Sequence, residues 1–283
     1  MSLLGEENIM KNHIFASEII TSRTNSTIVK ISKLSNKKYR QEDKLFICDG
    51  VKLVKEAIDF SLDIKYIVIR ENFELDGELG KAIHSCQKNG TSVLVASPQV
   101  YEKISEENAP QGIMAVCSFI SEKHKSLSVA EKSYNGEKIV MIESVRDPGN
   151  IGTILRNACA FGIDRLIFSR DCADFYSQKV VRAAMGALFK LRIDVVEDFV
   201  GSIEVLKKCK KSVYGAALNE NSLILGQKKL THDDVIIIGN EGHGLSCEVL
   251  SAVDDTIFIP IAKNTESLNA AMASAIFMWE LSK

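Results

Sequence analysis

Short apolar runs rich in β-branched residues alternate along the chain with segments whose apolar residues recur every three or four positions. These are the signatures of buried strands and of helices with one apolar face. In the first part the runs predict strands over 45–48, 66–69, 92–96 and 113–119. The longer period predicts a helix capped by Asn25 or Ser26 and carrying Ile28, Ile31 and Leu34, then one over 51–60 with Val51, Val54, Ala57 and Ile58 on one stripe. Further helices are predicted on Leu79, Ile83 and Cys86 and, briefly, after Pro98. Residues 121–137 are polar, contain an Asn-Gly pair and have little apolar periodicity, which reads as a linker. Alternation then resumes, with strands over 138–142, 165–168, 213–217, 235–238 and 256–259 and one ending at Val195. Helices are expected over 151–161, 178–188 and 203–209, and a last one is opened by Ser267, Leu268 and Asn269, with Ser267 as its N-cap.

Strands alternating with helices predict an α/β protein of two domains: a small N-terminal α/β domain over 1–120 and a mostly parallel α/β domain over 138–283. In such a sheet ligands lie at the carboxyl ends of the strands. The polar residues gather there. Asn240, Glu241 and His243, interleaved with Gly242 and Gly244, follow the strand over 235–238, and Asp147, Pro148, Gly149 and Asn150 follow the strand over 138–142. Arg156 stands among Ile154, Leu155 and Ala158, and a buried arginine there would need a partner or an anionic ligand. The last helix carries Ala270, Ala271, Met272, Ala273, Ala275, Ile276, Phe277, Met278, Trp279 and Leu281, which leaves almost no polar face. It is too short for a membrane span, so the expectation is burial against the sheet on one side and a second copy of the chain on the other.

Composition narrows the class. At 283 residues and 46% hydrophobic content the chain can bury two modest cores. The start, with Glu6 and Glu7 and no long apolar run, resembles neither a signal peptide nor an anchor, so a cytoplasmic protein is expected. Seven cysteines without a C-x-x-C pair argue against a zinc ribbon and a disulfide framework, and Cys247 beside His243 is too few ligands for a metal. The net charge of −2 is unevenly spread: between Arg23 and Lys55 nine basic residues face three acidic ones, a local +6. That window, with Arg23, Lys30, Lys37, Lys38 and Arg40, is the candidate phosphate-binding face.

Three stretches, DPGNIGTILRNACAFG (147–162), IIIGNEGHGLS (236–246) and IPIAKNTESLNAAMASAI (259–276), resemble in order and spacing the three motifs of the SpoU, or TrmH-type, RNA 2′-O-methyltransferases of the SPOUT superfamily. The stretch over 22–58 is more loosely similar to the substrate-binding domain that precedes catalysis in the ribosomal RNA members. The resemblance implies a trefoil knot in the C-terminal domain and a homodimer. It also implies S-adenosylmethionine held by backbone around Ala217, Gly239, Ile259 and Leu268 with Glu241, and a catalytic set of Asn150, Arg156, Glu241, Ser267 and Asn269. It departs from the family's usual pattern at Lys263, where many relatives have glycine, and at Ala184, where many have serine.

On these expectations the chain methylates a ribose 2′-hydroxyl, in ribosomal rather than transfer RNA. Guanidinium stays protonated in proteins, so Arg156 suits stabilising a developing alkoxide or holding phosphate, with deprotonation by arginine left open. A dinucleotide enzyme is the first rival, but it needs a third glycine where Cys247 stands and an acidic residue about 20 positions on. A non-catalytic RNA-binding module would not need Asn150, Arg156, Glu241, Ser267 and Asn269 intact. Methylation of a base, the third rival, is separated from ribose methylation by nucleoside analysis.

Overall fold

Burial on both faces explains why the strands read as continuous apolar runs rather than alternating ones. The computed structural model describes residues 18–120, 127, 134–262 and 267–283, which divide into two units. One comprises Met1–Ile120 with Tyr176–Phe189, the other Ser121–Phe175 with Lys190–Lys283. Most of the expected linker, and Lys263, lie outside the described residues. The end of that stretch is not linker: Tyr134 is buried in the second unit's core, and Glu137 pairs there with Arg165 at 2.7 Å.

The first unit runs β1 (Ile19–Ile20), α1 (Ser26–Lys33), α2 (Lys37–Asp43), β2 (Leu45–Asp49), α3 (Val51–Asp59), β3 (Ile64–Arg70), α4 (Gly77–Lys88), β4 (Ser92–Ala96), α5 (Pro98–Ile104) and β5 (Ile113–Ser118). Its sheet has the order β1-β4-β3-β5-β2, with β5 antiparallel to both β3 and β2. Asn25 caps α1 by accepting from the amides of Thr27 and Ile28, and Ile28, Ile31 and Leu34 sit in a core with Val68, Val100 and Met114. The returning segment Tyr176–Phe189 brings α7 (Gln178–Ala184) against the edge strand β2. Its Tyr176 stacks on Phe119 at 3.8 Å and approaches Phe46 at 4.9 Å, and Arg182 pairs with Glu107. The helix expected over 178–188 stops at Ala184, because Met185 turns to φ 49° and Gly186 to φ 76°.

The second unit carries β6 (Ile139–Ile142), α6 (Pro148–Ala160), β7 (Arg165–Ser169), β8 (Arg192–Val196), α8 (Phe199–Lys208), β9 (Ser212–Ala216), β10 (Leu223–Ile224), β11 (Asp234–Ile238), α9 (Cys247–Ala252), β12 (Asp255–Phe258) and α10 (Ala270–Ser282). Its seven strands, in the order β10-β12-β9-β11-β6-β7-β8, are parallel at every pairing. Ile139, Met141, Ile167, Val213, Val235 and Ile237 share a core with Ile203 and Leu206 of α8 and Val249 of α9. The period of two sends the intervening residues to the opposite face, where α10 packs on β11 and α6. Among the described residues no helix is long and apolar enough to cross a membrane.

Candidate active site

The loops that leave β6 and β11 meet at the carboxyl edge of the second unit's sheet. Asp147 starts α6 by accepting from the amide of Asn150 at 2.8 Å, with Pro148 in the first turn, and so presents Asn150 at the helix entrance. The Asn150 carboxamide donates to Glu241 and accepts from Asn269 Nδ2 at 3.0 Å. Three residues from three separated stretches thus form one chain of polar contacts. Asn269, and not Ser267, is also the N-cap of α10, its Oδ1 accepting from Ala271 at 2.9 Å and Met272 at 3.3 Å. Both residue types can cap, and the helix begins two residues later than expected because Asn269, not Ser267, receives the first-turn amides.

Beside this chain opens a cleft of about 340 Å³. Ala217, Gly239, Glu241, Ile259 and Leu268 all line it, together with Ser267. The walls are backbone and small, aliphatic or phenylalanine side chains, with Asn240, Glu241 and Ser267 as the polar ones, the character of a site for a flat, partly apolar ligand. Gly239 is packed against the returning loop, since a Cβ there would lie 2.4 Å from the Gly244 carbonyl carbon and 2.7 Å from the Leu245 nitrogen.

Two sequence expectations are corrected. Arg156 is exposed rather than buried: α6 turns Ile151, Ile154, Leu155 and Ala158 inward, which leaves 153, 156 and 160 to solvent. Its guanidinium has no hydrogen-bond or ion-pair partner among the described residues, and it stands outside the Asn150–Glu241–Asn269 chain of contacts. Arg40, expected on the RNA face, is only 4% exposed, and its Nη1 donates to the carbonyls of Leu34 and Ser35 at 2.6 and 2.7 Å. It closes the end of α1 and is structural. Arg23, Lys30, Lys37 and Lys38 are exposed, although Lys30 faces Asp43 at 3.8 Å and Lys38 faces Glu42 at 3.9 Å. Tyr39 lies between the ammonium groups of Lys33 and Lys38, 5.3 and 5.9 Å from its ring centre.

Pattern reading assigned no role to the polar brace behind the cleft. Glu143 accepts from the Ser246 amide and hydroxyl at 3.0 and 2.6 Å. Asp171 accepts from Ser169 Oγ at 2.7 Å and from Arg146 at 3.1 Å. Burial acts to raise the Asp171 carboxyl, but the hydrogen bonds from Ser169, Ser144 and Arg146 outweigh it and hold the group below the ordinary aspartate range. Burial pushes the neighbouring Cys172 thiol up to about 11, so this cysteine is inert at neutral pH. The available signal was a carboxylate immediately after a fully buried strand. Among the described residues no group of three or more metal-binding side chains occurs.

The profile of the SpoU rRNA Methylase family matches residues 137–279, and that of the MRM3-like substrate binding domain matches residues 25–115. The chain is 30% identical over 262 residues to the 23S rRNA (guanosine(2553)-2'-O)-methyltransferase RlmP of Bacillus subtilis, which covers 93% of this chain and 98% of that protein. It is 28% identical to the 23S rRNA (guanosine-2'-O-)-methyltransferase RlmB of Coxiella burnetii, over 83% of this chain and 94% of that one. The crystal structure of an AdoMet-bound rRNA methyltransferase from Sinorhizobium meliloti superposes with a TM-score of 0.79 at 28% identity, covering 93% of this chain and 96% of that one.

Proposed function

Because the chain belongs to the SpoU rRNA methylase family, we propose that it methylates a ribose 2′-hydroxyl of large-subunit ribosomal RNA, with S-adenosylmethionine as methyl donor. The observation that carries this reading is the meeting of Asn150, Glu241 and Asn269 beside a cleft built from the loops after β9, β11 and β12. The full-length relatives from Bacillus subtilis and Coxiella burnetii are both named for 23S rRNA. That favours ribosomal over transfer RNA. The test is incubation with labelled S-adenosylmethionine and an unmodified 23S rRNA transcript, followed by nucleoside analysis. Label in a ribose-methylated nucleoside is expected; label on a base, or none, refutes the reading.

The residues present suit the cofactor. Small, aliphatic and phenylalanine walls with backbone between them fit a purine and a thioether, and no cationic side chain lines the cleft to oppose a sulfonium. When bound, the cofactor supplies an electrophilic methyl group. Asn150, itself held by Asn269, donates to one oxygen of Glu241, and the other, without a partner among the described residues, is free to accept from the ribose hydroxyl and align it. Arg156 supplies a permanent positive charge for the alkoxide that develops, or for the adjoining phosphate. Its exposure on α6 leaves the guanidinium accessible to RNA. Ser267, the remaining member of the expected catalytic set, lines the same cleft. The C-terminal trefoil knot and a cytoplasmic location belong to the same reading.

The reading includes a homodimer formed through α10. Met272 is 60% exposed, Trp279 53% and Ile276 36%, on a helix whose other face carries Ala271, Ser274, Phe277, Met278 and Leu281 into the core. Such a patch marks an interface. The native chain is expected to sediment as a dimer at micromolar concentration, and the double variant Met272→Glu/Ile276→Glu as a monomer. A native monomer removes the proposal.

RNA is held by the exposed cations of α1 and α2. Reversing Lys33, Lys37 and Lys38 to Glu is expected to weaken RNA binding, most at low salt, with the slope of log affinity against log salt shallower by about one for each phosphate no longer neutralised. Cofactor affinity stays unchanged. Arg40 is left out of this set because its removal would open the end of α1. Filter binding across a salt series checks the expectation, and an unaltered slope refutes it.

A further inference from the structure

At the end of β6 the backbone enters the left-handed region at a residue with a side chain: Ser144 has φ 54°. An L residue rarely adopts this conformation, and it persists where surrounding bonds fix it. Two do so here. The Ser144 amide donates to Ser169 Oγ at 2.8 Å, and the Ser144 carbonyl accepts from Asn240 Nδ2 at 2.8 Å. The other end of the Asn240 carboxamide accepts from the amides of Gly242 at 2.8 Å and His243 at 3.3 Å. The Asn240 backbone meanwhile exchanges bonds with Gly244 at 3.0 and 2.9 Å. One side chain therefore closes the turn that carries Glu241 and pins that turn to the loop that leads to Asn150.

The direct contact between Asn150 and Glu241 cannot hold the two loops in place, because it lies in the open and water competes for both partners. The bond from Asn240 to Ser144 is partly buried and joins the same two loops. We propose that Asn240 is a positioning residue for methyl transfer, its carboxamide nitrogen holding Glu241 against Asn150 by tying the loop after β11 to Ser144. The proposal rests on the reading of Glu241 as the group that aligns the ribose hydroxyl.

The test uses the full-length protein with the 23S rRNA transcript. Asn240→Asp keeps an oxygen for the Gly242 and His243 amides but turns a second oxygen, without a proton, toward the Ser144 carbonyl. At saturating RNA and cofactor its kcat is expected to fall about tenfold to a hundredfold, the penalty of a misplaced aligning group, with KM for RNA little changed. Lowering the pH protonates the introduced carboxyl and restores a donor, so the ratio of variant to native kcat is expected to rise as pH falls. Wild-type kcat at neutral pH, or a deficit that does not recover at lower pH, overturns the proposal. Should the Asp variant fail to fold, Asn240→Ser takes its place, keeping an oxygen for the turn and lacking the reach to Ser144. A loss of kcat at native thermal stability supports the proposal and a native kcat overturns it. A Glu241→Gln variant with native kcat overturns the reading of Glu241 and the proposal with it, whereas slow Glu241→Gln beside native Asn240→Asp overturns the proposal alone.

Discussion

Arg156→Ala is expected to lower methyl transfer roughly a hundredfold or more, on the order of 3 kcal/mol, the size seen when one donor to developing negative charge is removed. Folding and cofactor binding are expected to survive. The side chain is exposed on α6 and bonds to no described residue, and Ala is the residue most favourable to a helix interior. Arg156→Lys should recover only part of the rate, since an ammonium cannot reproduce the planar fork of donors. Single-turnover kinetics with calorimetry of cofactor binding separates the cases. Native turnover of the bound complex with lost cofactor affinity would make Arg156 a cofactor residue and move the stabilisation of the alkoxide elsewhere.

Gly239→Ala is the second large effect. The added methyl carbon would lie between 2.4 and 2.7 Å from three backbone atoms of Gly244 and Leu245, and backbone cannot rotate away as a flexible side chain can. The loop that lines the cleft must shift, at a cost of about 1–3 kcal/mol for overpacking, or about tenfold to a hundredfold in cofactor affinity if binding needs the native loop. Gly242→Ala is the control, because its nearest neighbour would be Asn240 Oδ1 at 3.4 Å, within reach of ordinary contact. Titration calorimetry with S-adenosylmethionine should show a large loss for the first and little for the second; equal affinities would mean that the cleft is not the cofactor site.

Most strands were legible because burial on both faces writes itself as an unbroken apolar run. Ser92–Ala96 falls where the pattern put it, and most other strands differ by one or two residues at an end. α2 was not legible: Lys-Lys-Tyr-Arg-Gln-Glu-Asp has no apolar stripe, and the helix is fixed at its ends, by the Asn36 cap and by Lys44 in the left-handed region. α9 and the two-residue strands β1 and β10 are too short to show a period. At the site, the residues of the motifs could be named but not their partners, because the contact of Asn150 with Glu241 joins positions 91 apart in sequence. Arg40 and Arg156 were misjudged in opposite senses for one reason. Neither a charge census, used for the first, nor a tally of apolar neighbours, used for the second, takes account of the side of the helix on which a residue falls, and the fold buries Arg40 and exposes Arg156.

The return of Tyr176–Phe189 to the first unit has a consequence for biosynthesis. A chain that leaves the ribosome from its N-terminus has made all five strands of the first sheet by Ser118, yet the rings of Phe46 and Phe119 still lack Tyr176, and β2 still lacks α7. That unit therefore cannot reach its final packing until some 70 further residues, about a third of them belonging to β6, α6 and β7, have been synthesised, at a rate of about 5–20 residues per second. For several seconds the edge of β2 is an open strand, the kind of surface on which nascent chains associate. A gene fragment ending at Ile120 would make that interval permanent.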